Sequence, residues 1–337
     1  MIIYDSDINT ISTDNVILNI DGDLVVKRNG SNNDAFGLNT LKSVTIGTQN
    51  TAIGNHSLYS NTDGNSNIGV GSFSLFSNQN GSYNLCIGNS AGMNILSNFN
   101  TALGAGVCMD KTSSGDSNTA VGYGALTTNT IGSSNTAVGV GALADNLSGS
   151  FNTAIGQWAL LGLVGFSNCV GVGFYSEVTN NNQIQLGDSS TTTYVYGTVQ
   201  NRSDLRDKKD IRDTVLGLDF INNLRPVDFK WDYRESYVDL VETIDISGNK
   251  SVSKVEVPKD GSRARNRFHH GLIAQEVKDV MEDMGVDFGG YQDHSFTGGK
   301  DVLTIGYDEL IAPLIKAIQE LKTQNDQLSA RITALGG

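Results

Sequence analysis

Asn50-Thr51-Ala52-Ile53-Gly54 returns as Asn100-Thr101-Ala102-Leu103-Gly104, Asn118-Thr119-Ala120-Val121-Gly122, Asn135-Thr136-Ala137-Val138-Gly139 and Asn152-Thr153-Ala154-Ile155-Gly156. Weaker copies end at Gly69, Gly88 and Gly171, and from Gly54 onward the spacings between these glycines run 15, 19, 16, 18, 17, 17 and 15. Alternation puts Ala52 out of phase with Thr51 and Ile53, so one side of each rung points inward while Thr and Asn face water or a neighbouring rung. Glycine then supplies a turn conformation that a Cβ would forbid. Several units continue into a small residue plus leucine, as in Ala125-Leu126, Ala142-Leu143 and Ala159-Leu160. The period has room for one short strand pair and two turns. A rung this short cannot bury its apolar face alone, so the units are expected to stack as a mainly β solenoid with Asn and Thr ladders along the axis. The absence of proline before Pro226 agrees, because an interior strand cannot spare its N–H.

Around the repeats the composition changes sharply. Before Ser203 only 17 of 202 residues are Asp, Glu, Lys or Arg, and after it 42 of 135 are. The net charge of -13 divides into -7 and -6 across that seam, so neither part offers the basic field that phosphate backbones require, and no nucleic-acid partner is expected. The first residues, Met1-Ile2-Ile3-Tyr4-Asp5, have no basic or apolar leader character, and no stretch approaches the roughly 20 apolar residues of a membrane span. Neither export nor a membrane anchor is therefore expected. Cys86, Cys108 and Cys169 are odd in number and far apart, which fits small buried fillers better than disulfides or a metal site. Strings such as Gly122-Tyr123-Gly124 and Gly139-Val140-Gly141 occupy one point of the repeat and open no amphipathic helix, so they read as turns rather than phosphate loops. The acids Asp63, Asp110, Asp116, Asp145 and Glu177 fall in the variable turns. Residues 1–42 read as an attachment or capping segment, with two short strands between Asn15 and Val26 about an Asp21-Gly22 turn.

Beyond the repeats, Ile184-Gln185-Leu186 and Thr193-Tyr194-Val195-Tyr196 alternate as strands, so residues 188–202 read as connecting neck strands. After Ser203 helix and strand signals mix. Leu216, Leu218, Ile221 and Leu224 have helical spacing and stop at Pro226, and Val227 to Trp231 alternates. Val241 to Val257 reads as a hairpin about Ser247-Gly248-Asn249, and Gly271-Leu272-Ile273-Ala274 as a buried strand entering a helix from Gln275. The last stretch is heptad-patterned, with Ile311, Ile318, Asn325 and Ile332 at one core position and Leu314, Leu321, Leu328 and Leu335 at the other. Ile at a, Leu at d and one Asn at a favour a parallel dimer, whereas Ile315 and Ala317 widen the apolar face, so two and three strands both stay open. Pro313 falls in the first turn or kinks the entry.

Residues 43–187 resemble the head repeats of trimeric autotransporter adhesins, a left-handed parallel β-roll. That resemblance implies three rolls packed side by side, a homotrimer. The ordered motifs Ser203-Asp204-x-Arg206-x-Lys208, Leu224-Arg225-Pro226-Val227 and Gly271-Leu272-Ile273-Ala274-Gln275-Glu276-Val277, with the terminal heptads, resemble the intramolecular chaperone domain of endosialidase-type phage tailspikes and fibres. This second resemblance covers residues 203–337. It implies an α+β chaperone domain ending in a coiled-coil helix at about 311–335, which trimerises, aligns three chains for folding and then cuts itself off.

The chemistry follows from the residues at the seam. A serine directly after the scissile bond can deliver its hydroxyl to the preceding carbonyl, here that of Arg202, but an unactivated hydroxyl is a poor nucleophile. In the family the lysine five residues on is the base, which maps to Lys208; Lys209 is the adjacent alternative. Such a lysine is neutral only if burial or a cationic neighbour such as Arg206 depresses its pKa. The resemblance assigns Asp204 and Arg206 an orienting role. The competing reading of residues 206–210 is a solvated charge run; His269 and His270 could assist catalysis but read more readily as structural. Together the resemblances imply a single-turnover self-cleaving serine endopeptidase within a viral tail fibre or spike, made in the host cytoplasm and carried on the virion. Its implied partners are two further copies, other virion tail proteins through the N-terminus, and a host surface receptor, glycan or protein; no cofactor or metal is implied. A cell-surface adhesin carrying the same module is the alternative.

Overall fold

The computed structural model describes residues 16–20, 23–29, 32–106, 114–188, 190–196, 199–244 and 250–336. They fall into two units, Met1–Thr193 and Tyr194–Gly337.

The first unit is built on one twelve-stranded sheet whose strands follow in chain order. It begins antiparallel, with β1 (Val16–Ile20), β2 (Asp23–Asn29) and β3 (Asn33–Phe36). The Asp21-Gly22 turn itself lies outside the described residues. From β3 the pairing is parallel through β4 (Thr51–Ile53), β5 (Ile68–Val70), β6 (Leu85–Ile87), β7 (Thr101–Leu103), β8 (Thr119–Val121), β9 (Thr136–Val138), β10 (Thr153–Ile155), β11 (Val170–Val172) and β12 (Ile184–Leu186). This is a β-solenoid of about nine rungs, in agreement with the repeat pattern.

The register corrects the reading of the weaker repeats. Gly69 and Gly171 pair with Ala52 and Ala154, at the inward strand position, and are not turn glycines. The turn glycines are Gly54, Gly71, Gly88, Gly104, Gly122, Gly139, Gly156 and Gly173, all at positive φ, so most rungs are 17 residues long. A Cβ on Gly139, for example, would come within 2.4 Å of the Gly156 carbonyl oxygen on the next rung, so the repeated glycine serves close stacking as well as the turn. A second correction concerns the other leg of each rung. It is a turn rather than a strand, with Leu58, Leu75, Leu126, Leu143 and Leu160 at positive φ and fully buried.

The core is therefore narrow, with an alanine column from the strands facing a leucine column from the turns. The rung that starts at Gly88 departs from this and is compensated. Gly92 replaces the leucine, and the space is occupied by the Cys86 sulfur and Ile95, each within 2.7 Å of where a Cβ would stand. Burial pushes the Cys86 and Cys169 thiols above the ordinary thiol range, as expected of fillers; Cys108 lies outside the described residues. Beside the core runs a buried asparagine column. The Oδ1 of Asn33, Asn50, Asn67, Asn84, Asn100, Asn118, Asn135 and Asn152 each accepts the backbone N–H of the matching residue one rung on, at 2.8–3.0 Å. These side chains face the neighbouring rung, and their burial is offset because every buried amide is satisfied along the axis.

Residues 188–202 form no strand among those described, so the alternation of Thr193 to Tyr196 finds no partner strand among the described residues. The second unit contains α1 (Leu218–Asn223), β13 (Val227–Lys230), β14 (Val238–Ile244), β15 (Lys250–Glu256), β16 (Phe268–Gly271), α2 (Ala274–Met284), β17 (Tyr291–Asp293), β18 (Leu303–Ile305) and α3 (Ile311–Gly336). It holds three antiparallel pairs, β13 with β16, β14 with β15 and β17 with β18, and a small core of Leu216, Phe220, Val277, Phe288 and Leu310 against which Tyr291 of β17 and Ile305 of β18 pack. The strand read at Gly271 to Ala274 is displaced: β16 ends at Gly271 and contains both His269 and His270, while Leu272 and Ile273 lead into α2.

Helix α3 packs on α1 through one side. Ala317 is buried, and Glu320 accepts the Leu218 N–H at 2.7 Å, capping a helix whose own N-cap, Gly217, has no side chain to do so. The heptad residues Ile311, Leu314, Ile318, Leu321, Leu328, Ile332 and Leu335 are all exposed.

Candidate active site

Ser203 and Lys208 are brought together by a single helical turn. Leu205–Asp207 forms a short 3-10 helix, closed by the Asp207 N–H to the Asp204 carbonyl and the Lys208 N–H to the Leu205 carbonyl, both at 3.1 Å. Asp204 caps it by accepting the Arg206 N–H at 2.9 Å. The chain thus folds back, and Lys208 Nζ donates to Ser203 Oγ at 2.7 Å. The amine at hydrogen-bonding distance is that of Lys208, the fifth residue on.

Asp204 and Arg206 face each other. Arg206 Nε lies 3.1 Å from Asp204 Oδ1, and Nη2 lies 2.6 Å from Oδ2. The guanidinium hydrogen bond holds the Asp204 carboxyl below the ordinary carboxylate range, and the same contact raises Arg206. This pair braces the turn that carries the serine and lysine. It does not place the Arg206 charge against Lys208, which the sequence offered as one way to activate the base. Burial, the other way, is also missing within the chain: Ser203 and Lys208 are both exposed.

Two contacts that no spacing suggested flank the Arg202–Ser203 bond. Arg202 Nε meets Asp207 Oδ2 at 2.7 Å. Asn201 Nδ2 donates to Asp308 Oδ2 at 2.9 Å, across 107 positions of chain. The histidines are engaged elsewhere. His269 lies among the rings of Phe229 and Trp231, and His270 Nδ1 meets Asp228 Oδ1 at 2.5 Å across the β13–β16 pair. Among the described residues no group of three or more His, Cys, Asp or Glu could hold a metal ion, and no helix is long and apolar enough to cross a membrane.

A serine hydroxyl bonded to a lysine amine, directly after a peptide bond whose flanking side chains are held, is an arrangement suited to acyl transfer. Residues 203–286 match the family described as chaperone of endosialidase, and the match begins at Ser203 itself. That family is one of self-cleaving peptidases, so the segment points to a trimerisation and autocleavage module. No curated protein matches the chain.

Proposed function

We propose that the chain is a trimeric viral tail fibre or spike protein, carried on the virion for host attachment, whose C-terminal unit directs assembly and then cuts itself away before Ser203. The observation that carries this reading is the 2.7 Å contact between Lys208 Nζ and Ser203 Oγ at the first residue of the chaperone match. In the proposed step neutral Lys208 takes the hydroxyl proton while Ser203 Oγ attacks the Arg202 carbonyl carbon. The C–N bond breaks as an ester forms, and the Ser203 nitrogen leaves as an amine that receives the proton. Water then hydrolyses the ester, releasing the Arg202 carboxylate and the Ser203 hydroxyl, so each chain turns over once.

Two exposed apolar surfaces support the trimer. One is the heptad face of α3. The other is the outer strand column of the solenoid, where Phe36, Ile53, Ile87, Val138, Ile155, Val172 and Leu186 are exposed and no strand from β4 to β12 holds a charged residue. A lysine base needs desolvation, and in one chain Lys208 faces solvent, so its activation is assigned to packing of neighbouring copies around the seam. The binding surface for a host receptor is assigned to the variable turns of the rungs.

The test is mass spectrometry of the expressed chain. Two products divided between Arg202 and Ser203 are expected, with cleavage lost in Ser203→Ala and Lys208→Ala; an intact wild-type chain, or an unchanged cut in Ser203→Ala, would overturn the reading.

A further inference from the structure

The short 3-10 helix Tyr307–Leu310 lies directly before α3 and is fixed on three sides. Leu310 is buried in the core of the unit. The Tyr307 hydroxyl accepts the Leu272 N–H at 2.8 Å, and it stands so close to Gly271 that a Cβ there would lie 2.3 Å from it. Asp308 is the residue of this helix that reaches the chain ahead of the seam, through Asn201. Asn201 is two residues before Ser203, in a segment that has no secondary structure and is exposed. An exposed chain samples many backbone conformations, and few of them present the Arg202 carbonyl carbon to the Ser203 hydroxyl.

We propose that Asp308 is a positioning residue for self-cleavage, holding Asn201 so that the Arg202 carbonyl faces Ser203 Oγ, with Asp207 gripping the Arg202 side chain from the other end. The proposal rests on the cleavage reading above. Asp308 touches no reacting atom; its effect passes through the backbone between Asn201 and Ser203. Because α3 starts three residues later, the hydrogen bond also links the start of the heptad helix to the bond that is cut.

The experiment exchanges donor and acceptor in the full-length chain and follows single-turnover cleavage by mass spectrometry. Asn201→Asp sets two carboxylates face to face and slows cleavage by about tenfold. Asp308→Ala removes the acceptor of the Asn201 amide and slows cleavage by about fivefold to tenfold. In the double variant Asn201→Asp/Asp308→Asn the donor sits on residue 308 and the acceptor on residue 201, and the rate recovers to within about threefold of wild type. Sedimentation of each variant in a Ser203→Ala background checks that the assembly is unchanged. Cleavage of Asn201→Asp at the wild-type rate, or a double variant as slow as Asn201→Asp alone, overturns the assignment of Asp308 while leaving self-cleavage standing. A wild-type chain that remains intact overturns both.

Discussion

In the solenoid the polar side chains that matter are buried and mutually satisfied, whereas at the Ser203 seam of the C-terminal unit the serine, lysine and arginine lie in the open and pair with near neighbours in the chain. Asn118 shows the first case. It is fully buried, its Oδ1 accepts the Asn135 N–H, and its Nδ2 reaches the Gly132 and Gly115 carbonyls at 2.9 and 3.1 Å. Lys208 and Arg206 show the second, each exposed with its partner within five residues. Apolar packing differs in the same sense. The exposed residues of α3 form a heptad face with no cover among the described residues, and the outer strand column of the solenoid is exposed as well, but the interior of each solenoid rung is already completed by the next rung. A part whose interactions are closed within the chain fails by losing stability; a part left open fails by losing assembly and chemistry.

The sharpest way to break that contrast is at α3. Leu321→Asp, on the exposed heptad face, is expected to abolish both the trimer and cleavage while leaving the solenoid folded; sedimentation, mass spectrometry and circular dichroism read the three. Cleavage at the normal rate in a monomeric Leu321→Asp chain would refute the assignment of base activation to neighbouring copies. Next comes Asn118→Ala, which strands two carbonyls and the Asn135 N–H inside the solenoid. A loss of about 3–5 kcal/mol in denaturant unfolding is expected, with cleavage unaffected. The smallest effect is expected for Glu320→Ala, which uncaps α1 and costs about 1 kcal/mol, read as a lowered melting temperature of the C-terminal unit.

Much of the solenoid was legible in the sequence because the period, the alternation and the glycine are local signals that recur. The errors arose where two residues shared a rung's glycine signal. Gly69-Val70-Gly71 and Gly171-Val172-Gly173 hold one glycine at the inward strand position and another in the turn, and counting to the first made a 17-residue period look irregular. Leucine at positive φ carries no sequence mark, since nothing local favours that conformation, and so the second leg was read as a strand. In the C-terminal unit the serine and lysine were legible through the resemblance of Ser203-Asp204-x-Arg206-x-Lys208 to the chaperone family, and one short helical turn brings them together. Asp308 was not, because its partner is 107 positions away and contact at that separation leaves no periodic trace.

The sequence by itself determined the stacking of rungs, the inward alanine column, the asparagine ladder and the heptad helix, all of which follow from short-range spacing, while the family resemblance singled out the lysine five residues after Ser203. Tertiary structure alone decided the register of the rungs, the engagement of Arg206 by Asp204 away from Lys208, and the hold of Asp308 on Asn201. Each of these is a choice among partners that the sequence leaves equally available, and backbone geometry brings only one of them within hydrogen-bonding distance.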